Sequence, residues 1–235
     1  MSMKKSTHEK RIGPEALTPS RTAAELIPPH ATLEQLKTAA RKCKACDLWK
    51  LGTQTVFGEG LPEARVMLVG EQPGDQEDRV GRPFVGPAGR LLNLALARAG
   101  IDRSQVYVTN VVKHFKWSQA ERGTRRIHKK PRYSEIQACR PWLDAELEIV
   151  KPEVLVCLGA SSAQSLLGRD FRVSQERGKL VESALAPYVL ATVHPSSILR
   201  AQDEDSRHLQ LEAFINDLKK VAQLLRAPAK KNRAA

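Results

Sequence analysis

The sequence predicts an α/β fold, a three-layer α/β/α arrangement around a central, mainly parallel, four-stranded sheet. Short apolar runs of strand length alternate along the chain with segments of helical periodicity, an order that is typical of parallel sheets. The runs are apolar without interruption, as expected for strands that are covered on both faces. Polar clusters stand at the ends of three of these runs, where open parallel sheets bind ligands.

The first predicted elements are a helix and a strand separated by a cysteine pair. Ala31–Arg41 has helical periodicity, and Thr32 is suited to cap its first turn. Ala64–Val69 is a short apolar run ended by a glycine, which indicates a buried strand. A loop rich in Gly and Pro follows, after which Pro87 opens a helix that Gly100 stops.

The remaining predicted elements complete the alternation. Val106–Val112 is the second strand, and residues 113–132 are expected to form a long basic loop. The next helix covers Tyr133–Val150, with Ser134 as its cap and a disturbance at Pro141. A strand, a helix, a strand and a helix then follow in this order: Val154–Leu158, Gly159–Leu167, Tyr188–Val193 and Leu209–Leu225.

Composition and charge limit the class of protein. Of the 235 residues 41% are hydrophobic, enough for a sizeable core, and the formal net charge of +12 favours polyanionic partners. The sequence contains no long apolar span and no secretory signal, so we expect no membrane contact and a bacterial, cytoplasmic, nucleoid-associated protein. Residues 1–29 are predicted to be a disordered basic tail, 30–226 the folded domain and 227–235 a basic C-terminal tail.

The four cysteines suggest metal or redox chemistry in a reducing compartment. Cys43 and Cys46 form one Cys-x-x-Cys pair, and Cys139 adds a third thiol far along the chain. The fourth ligand is either Cys157, inside a predicted core strand, or His114, just after the second strand. An iron–sulfur cluster and zinc both accept such ligands, so the spacing does not choose the metal.

Polar groups at the predicted strand ends are candidate ligand contacts. The segment from Glu71 to Asp75 combines carboxylates with a tight turn. Asn110 offers an amide that both donates and accepts hydrogen bonds, and His194 precedes Pro-Ser-Ser. Phe84 lies among loop glycines and prolines, where it either stacks on a base or packs in the core. Taken singly, each is also explained as a turn, cap or core residue, but their shared position favours one binding site.

A basic segment, Arg125 to Lys130, carries His128 among four cations. Nearby positive charge disfavours the imidazolium, so the ring is expected to be neutral at physiological pH. The cations favour contact with phosphates. This segment alone is compatible with a nucleophile, a base, a plain phosphate contact, or a solvated basic loop in which the histidine has no role.

Four motifs in a fixed order give the chain a family resemblance. They are Gly70-Glu71-Gln72-Pro73-Gly74, Gly86-Pro87-Ala88-Gly89-Arg90-Leu91-Leu92, Thr109-Asn110-Val111-Val112-Lys113 and His194-Pro195-Ser196-Ser197. Together they resemble the uracil-DNA glycosylase superfamily, specifically its iron–sulfur family 4 branch. The resemblance extends over nearly all of the predicted folded domain.

Two departures from that branch refine the resemblance. Gln72 stands where the branch usually has Ala, and His114 replaces the cysteine of its Val-Lys-Cys motif. With the inserted loop around His128, these features resemble the UdgX group, which excises uracil and then bonds covalently to the abasic DNA through the histidine of this loop. The resemblance therefore implies a His128–abasic-site adduct. The alternatives are a conventional family 4 glycosylase that turns over, and a non-catalytic nucleic-acid binding module.

The resemblance also implies roles for individual residues. The nucleophile is His128, Glu71 holds its tautomer and takes up its charge, and His194 stabilises the departing uracil. The implied substrate contacts are Gln72, Gly74, Asp75, Phe84 and Asn110. The implied DNA contacts are Arg125, Arg126, Lys129, Lys130, Ser196, Ser197 and Arg200. The implied ligands of a [4Fe–4S] cluster are Cys43, Cys46, His114 and Cys139. The expected partner is uracil-containing DNA, single strands included, and the expected state is a monomer.

Overall fold

The central sheet has five strands, of which four are parallel. The computed structural model describes residues 22–226. Its strands in chain order are β1 (Val66–Gly70), β2 (Val106–Asn110), β3 (Trp117–Gln119), β4 (Arg126–His128), β5 (Val154–Leu158), β6 (Leu180–Val181) and β7 (Tyr188–Thr192). The sheet order is β2-β1-β5-β7-β6, with β6 antiparallel to β7. The strands β3 and β4 form a separate antiparallel ribbon.

Helices cover both faces of this sheet. They are α1 (Leu33–Ala40), α2 (Asp75–Val80), α3 (Pro87–Ala99), α4 (Tyr133–Val150), α5 (Ala160–Leu167), α6 (Val173–Glu176), α7 (Pro195–Ile198) and α8 (Glu204–Arg226). Short 3-10 helices lie at Ala23–Leu26, Asp47–Lys50 and Arg103–Gln105. The predicted α/β fold with a mainly parallel sheet is confirmed. The fifth strand, β6, has only two residues and is too short to be recognised as an apolar run.

The side chains of the central strands alternate between two hydrophobic cores. Val66 and Leu68 of β1 pack in the core shared with α3 and α8, whereas Met67 and Val69 pack in the core shared with α1 and α4. All four side chains are fully buried, and burial of each contributes roughly 1.5–3 kcal/mol to stability. Because both faces are covered, the strand sequences are apolar throughout.

The predicted helix ends of α1 and α3 are found in the structure. The Oγ1 atom of Thr32 accepts a hydrogen bond from the N–H of Gln35 at 3.3 Å, and the Gln35 side chain accepts one from the N–H of Thr32 at 2.8 Å. Helix α3 begins at Pro87 and is followed by Gly100, whose φ of 74° lies in the left-handed region that favours glycine.

Helix α4 differs from its prediction at two positions. It continues through Pro141, because Trp142 and Leu143 beside it are fully buried and their packing outweighs the loss of one backbone hydrogen bond. Ser134 lies inside the helix and does not cap it. The cap position belongs to Arg132, whose N–H donates to the Glu135 carboxylate at 2.6 Å.

The segment predicted as a long basic loop contains the β3–β4 ribbon. Trp117 pairs with His128 in this ribbon, and Gln119 pairs with Arg126. Each strand has only three residues, which is too short for alternation to be recognised. The hairpin gives His128 a fixed backbone position that a loop would lack.

The predicted N-terminal tail is partly folded. Ala23 belongs to a 3-10 helix and is fully buried in the core that contains α4, so the packed part of the chain extends N-terminal of residue 30. The rest of that predicted tail, residues 1–21, and the predicted C-terminal tail, residues 227–235, lie outside the described residues. Of the helices within residues 22–226, none is both long enough and apolar enough to cross a membrane.

Candidate active site

The carboxyl ends of β1 and β2 meet at one edge of the sheet. Gly70 ends β1 and lies opposite Asn110, which ends β2. A Cβ atom at Gly70 would lie 2.3 Å from Oδ1 of Asn110 and 2.9 Å from Cζ of Phe84. The position therefore requires glycine, and the amide and the aromatic ring converge on the same side of this strand end.

Phe84 forms one wall of the space between Asn110 and His194, which we call the base pocket because the sequence predicts base contacts there. Its ring stacks against the His194 ring, with 6.1 Å between the centroids and 28° between the planes. Its φ of 55° is unusual for a non-glycine residue. A Cβ atom at Gly89 would lie 1.7 Å from the Phe84 carbonyl oxygen, so close packing on α3 holds this strained backbone in place.

Asn110 forms the floor of the base pocket. It is 3% exposed, and its side-chain amide has no hydrogen-bond partner among residues 22–226, so both its donor and its acceptor are available to a ligand. Its backbone carbonyl accepts from Lys113 Nζ at 2.8 Å. Lys113 also forms a buried ion pair with Glu146, at 2.5 Å, which fixes the end of β2.

His194 carries a hydrogen-bond donor beside the base pocket. Its Nδ1 accepts from the N–H of Ser196 at 3.2 Å, so in the neutral ring the proton sits on Nε2. Burial, with Arg200 and His128 nearby, lowers the pKa of His194 to about 4. The ring is therefore neutral at physiological pH and offers an Nε2–H.

His128, the last residue of β4, lies beside Glu71 at the edge of this site. Its Nε2 is 3.4 Å from Oε1 of Glu71, and its side chain is 51% exposed. Partial burial lowers the pKa of His128, against the opposing effect of Glu71, and Arg200 lowers it further. The lowered pKa supports the predicted neutral ring, but its cause differs from the predicted one. Burial and Arg200 lower the pKa, whereas the prediction attributed the effect to the neighbouring cations of the Arg125–Lys130 segment.

Gln72 connects β1 to the ribbon that carries His128. Its Oε1 accepts from the N–H of Lys116 at 3.0 Å, and its Nε2 donates to the carbonyl of Lys129 at 2.9 Å. These backbone bonds fix the amide so that its NH₂ faces His128 Nε2 at 2.8 Å. The His128 Nε2 must then be the acceptor, with the proton on Nδ1. Gln72 therefore takes part in setting the tautomer, a role that was predicted for Glu71, whose Oε1 lies beside the same nitrogen.

Arg126 anchors the same ribbon. Its guanidinium donates to Asp78 at 2.6 Å and also to Asp75, and its side chain is only 10% exposed. It stacks over Phe115 and Trp117, at 5.3 and 5.4 Å from the ring centroids. Arg126 and Asp75 were predicted to contact DNA and substrate. The structure engages them with each other, and four of the five N–H donors of Arg126 are used within the protein.

Glu71 has a second partner that sequence reasoning missed. Ser161 Oγ donates to Oε2 of Glu71, which leaves Oε1 directed at His128. Ser161 is buried at the start of α5. The Gly-Ala-Ser-Ser sequence predicted that helix start, but no pattern linked it to a carboxylate that follows a different strand.

Three cysteines lie together between α1 and α4. Cys43 and Cys139 are buried in one core, and Cys46 packs against it. Burial raises the pKa of Cys139 to about 12 against the effect of Lys113, and Cys46 and Cys43 are close enough to raise it as well. Cys157 packs in a different core. Within residues 22–226, no three His, Cys, Asp or Glu side chains form an arrangement that holds a metal ion.

His114 is linked to the cysteine segment through hydrogen bonds. Its Nε2 lies 3.0 Å from Thr55 Oγ1, which donates to the Ala40 carbonyl at 2.9 Å. The N–H of Cys43 donates to that same carbonyl at 3.0 Å. Because Thr55 already donates its hydroxyl proton to the Ala40 carbonyl, His114 Nε2 must be the donor to Thr55 Oγ1. The lone pair of the His114 ring is then on Nδ1. Burial lowers the pKa of His114 to about 4, so the ring is neutral.

Comparison with known proteins identifies the family. Residues 57–219 match the Uracil DNA glycosylase superfamily. The chain belongs to this superfamily. A type-4 uracil-DNA glycosylase of Sulfurisphaera tokodaii is 38% identical over 179 residues, which cover 72% of this chain and 76% of the relative. One from Thermotoga maritima is 36% identical over 181 residues, covering 77% and 90%, and one from Archaeoglobus fulgidus is 34% identical over 200 residues, covering 82% and 93%.

The remaining predicted contacts of this uracil-DNA glycosylase superfamily member divide into exposed and engaged groups. The exposed cations around the site are Arg125, Lys129, Lys130 and Arg200. Ser196 contacts the His194 ring, and Ser197 Oγ donates to the His194 carbonyl at 2.8 Å. Gly74 is the N-cap of α2, where its N–H donates to Glu77 at 3.1 Å. These two serines and Gly74 therefore shape the site from within the protein.

Proposed function

We propose that this chain is a uracil-DNA glycosylase that removes uracil from DNA, single strands included, and acts as a monomer in the bacterial cytoplasm. The observation that carries the proposal is the convergence of Asn110, Phe84 and His194 on one pocket at the carboxyl edge of the sheet. The relatives named type-4 uracil-DNA glycosylases support the same activity. A free amide, an aromatic wall and a neutral N–H donor suit a planar base with two carbonyl groups.

The glycosidic bond of a stacked nucleotide is inaccessible, so uracil must be flipped into the base pocket. Phe84 then stacks on the base, and Asn110 hydrogen-bonds its edge. When the bond from the sugar carbon C1′ to uracil N1 breaks, the electron pair leaves with uracil. The Nε2–H of His194 donates to the uracil oxygen on which negative charge develops, an electrostatic role that needs a neutral donor and no proton transfer.

The test is release of free uracil from a uracil-containing oligonucleotide, with a thymine-containing oligonucleotide as control. Uracil release from the first substrate alone is the expected result. Tight binding to both oligonucleotides without any free base would instead assign the chain to non-catalytic nucleic-acid binding.

A second candidate function extends the first, since His128 is suited to trap the sugar after uracil leaves. The chain resembles the UdgX group at Gln72, at His114 and in the loop that carries His128. Support comes from the neutral His128 ring, its unprotonated Nε2 and the adjacent Glu71 carboxylate. In this step Nε2 leaves Gln72 and donates its lone pair to C1′. The alkylated ring keeps its Nδ1 proton and becomes a cation, whose charge Glu71 balances. The type-4 relatives, by contrast, favour ordinary hydrolysis and turnover.

Gln72 controls the position of His128, so we expect the Gln72→Ala variant to divert product from adduct to free abasic DNA. Loss of the amide removes its hydrogen bonds to the backbone of Lys116 and Lys129, and a displacement of His128 by about 1 Å costs up to about 100-fold in such a step. The measurement is the ratio of covalent band to free abasic product on a denaturing gel. Gln119→Ala is the matched control, because the Gln119 amide bonds only within the ribbon tip. An unchanged ratio would exclude this role for Gln72.

We also propose that Cys43, Cys46, Cys139 and His114 hold a [4Fe–4S] cluster. The donor types fit such a cluster, since the three thiols share one core and the His114 hydrogen bonds leave Nδ1 free. The described side chains are not themselves arranged as a metal site, so the proposal rests on the chemistry of the donors. A bound cluster would supply a rigid crosslink between the Cys43 segment and α4. The chain's own residues perform every step of uracil removal described above.

Iron content and visible absorbance test the cluster. The purified protein is expected to be brown and to contain iron, and Cys139→Ser is expected to lose both properties because thiolates are the usual ligands. Cys157→Ala is the matched control, since Cys157 is equally buried but lies in another core. A colourless protein that contains zinc would contradict the proposal.

A further inference from the structure

A cleft of about 490 Å³ lies beside the base pocket, and no role has been assigned to it. Its walls include Glu59, Arg82, Phe84, Arg90, Arg103 and Ser104. Three arginines face a single carboxylate in this cleft, which we call the arginine cleft. Such an excess of guanidinium groups favours an anionic ligand.

The charges of the arginine cleft are only partly balanced. Arg82 forms a two-point ion pair with Glu59, at 2.9 and 2.5 Å, which neutralises both groups. Arg90 is exposed and has no hydrogen-bond or ion-pair partner among residues 22–226. Arg103 is half-buried, and its Nη1 donates a hydrogen bond to the Val106 carbonyl at 2.7 Å. With three arginines and one carboxylate, the cleft therefore keeps an excess of two positive charges, although Glu59 also lies close enough to Arg103 to interact with it.

Phe84 belongs to both sites. Its ring lies against Gly70, Asn110 and His194 in the base pocket, and the same residue lines the arginine cleft. A nucleotide flipped against Phe84 carries phosphates on both sides of its sugar. The strand must therefore leave the base pocket close to Phe84, where Arg90 projects into solvent from the first turns of α3.

We propose that the arginine cleft binds a backbone phosphate of the DNA strand whose uracil occupies the base pocket. The proposal rests on the proposed function, since the uracil site sets where the strand lies. Arg90 and Arg103 donate hydrogen bonds to the phosphate oxygens, and the Glu59–Arg82 pair holds the cleft wall. This adds a contact on the side of Phe84 that is formed by α3, separate from the cations of the His128 ribbon.

The first experiment measures binding of the full chain, at several salt concentrations, to a fluorescent single-stranded oligonucleotide that carries one uracil on a non-cleavable sugar. Arg90→Gln is expected to weaken binding about three- to tenfold at low salt and to reduce the salt slope by about 0.7, the value for one lost phosphate contact on a single strand. Lys219→Gln on α8 is the matched control, because this exposed lysine lies outside the cleft. Equal affinity and slope for Arg90→Gln and the unmodified chain would overturn the proposal.

A second experiment identifies the phosphate. Neutral methylphosphonate linkages are introduced one at a time on either side of a uracil, with a non-cleavable sugar so that catalysis is not required. At one position, the neutral linkage is expected to weaken binding of the unmodified chain as much as Arg90→Gln does. The same linkage is expected to cause no further loss of affinity in the Arg90→Gln variant. Equal losses in both proteins at every linkage would overturn the proposal.

Inorganic phosphate separates a DNA contact from a site for free phosphate. At constant ionic strength, it is expected to displace the oligonucleotide no better than chloride does. Selective displacement from the unmodified chain, absent in Arg90→Gln, would assign the cleft to free phosphate and overturn the DNA contact. Because none of these measurements needs uracil removal, their failure leaves the glycosylase proposal intact, and failed uracil release leaves the phosphate contact testable.

Discussion

A His128→Ser variant is expected to release uracil while leaving no covalent band on a denaturing gel. The base pocket is built from Asn110, Phe84 and His194, so uracil removal keeps its contacts. The hydroxyl of Ser is a weak nucleophile and its side chain is shorter than that of His, so water reaches the sugar in place of His128. Adduct formation should fall below detection, whereas free abasic DNA should accumulate over more than one turnover.

The control for this variant is His208→Ser, since His208 is an exposed histidine on α8. Its covalent band should match that of the unmodified chain. If the unmodified chain itself gives only free abasic DNA over many turnovers, the chain is a conventional type-4 enzyme and the adduct proposal fails.

The pH dependence of the adduct gives an independent check on His128. Its pKa is lowered from 6.5 by partial burial, and the neutral ring is the nucleophile. The rate of adduct formation should therefore be constant above about pH 6.5 and should fall only when the pH drops through the lowered pKa. A rate that rises as the pH falls would contradict a neutral nucleophile.

The second large effect is expected at His194. In His194→Asn the Oδ1 atom can still accept from the N–H of Ser196 and so preserve the cap of α7, but the Nε2–H donor is lost. Removal of one such donor costs about 10²- to 10³-fold in rate. Single-turnover uracil release with excess protein measures the chemical step directly.

Ser197→Ala is the matched control for His194→Asn. Ser197 Oγ donates to the His194 carbonyl, away from the ring, so its loss should change the rate by less than about threefold. A rate for His194→Asn within about threefold of the unmodified chain would mean that His194 only shapes the pocket and takes no part in stabilising uracil.

Local patterns were sufficient for the sheet and for the position of the base pocket. Each of the four predicted strands lies within two residues of its observed bounds, because a strand buried on both faces must be apolar throughout. Parallel strands end at one edge, so residues that follow them converge without further information. Asn110 and His194 could be assigned to one site on this basis alone.

The partners of the basic segment could not be predicted in the same way. Arg126 and Lys129 carry the same charge in sequence, yet Arg126 is paired with Asp75 and Asp78 while Lys129 is exposed. Which of them faces inwards depends on the register of a three-residue ribbon. The tautomer of His128 depends on Gln72, a residue 56 positions away. Such contacts are fixed by tertiary packing, so no periodic pattern in the local sequence reveals them.

The buried ion pair between Lys113 and Glu146 also constrains how this protein can evolve. Replacing either residue alone would leave an unpaired charge in the core and lower the free energy of unfolding by about 3–5 kcal/mol. That loss is comparable with the whole stability of many domains. Lys113, which follows β2, and Glu146, on α4, must therefore be replaced together or not at all. Because Lys113 also holds the Asn110 carbonyl, any lineage that exchanges the pair for apolar residues has to rebuild the floor of its base pocket in the same step.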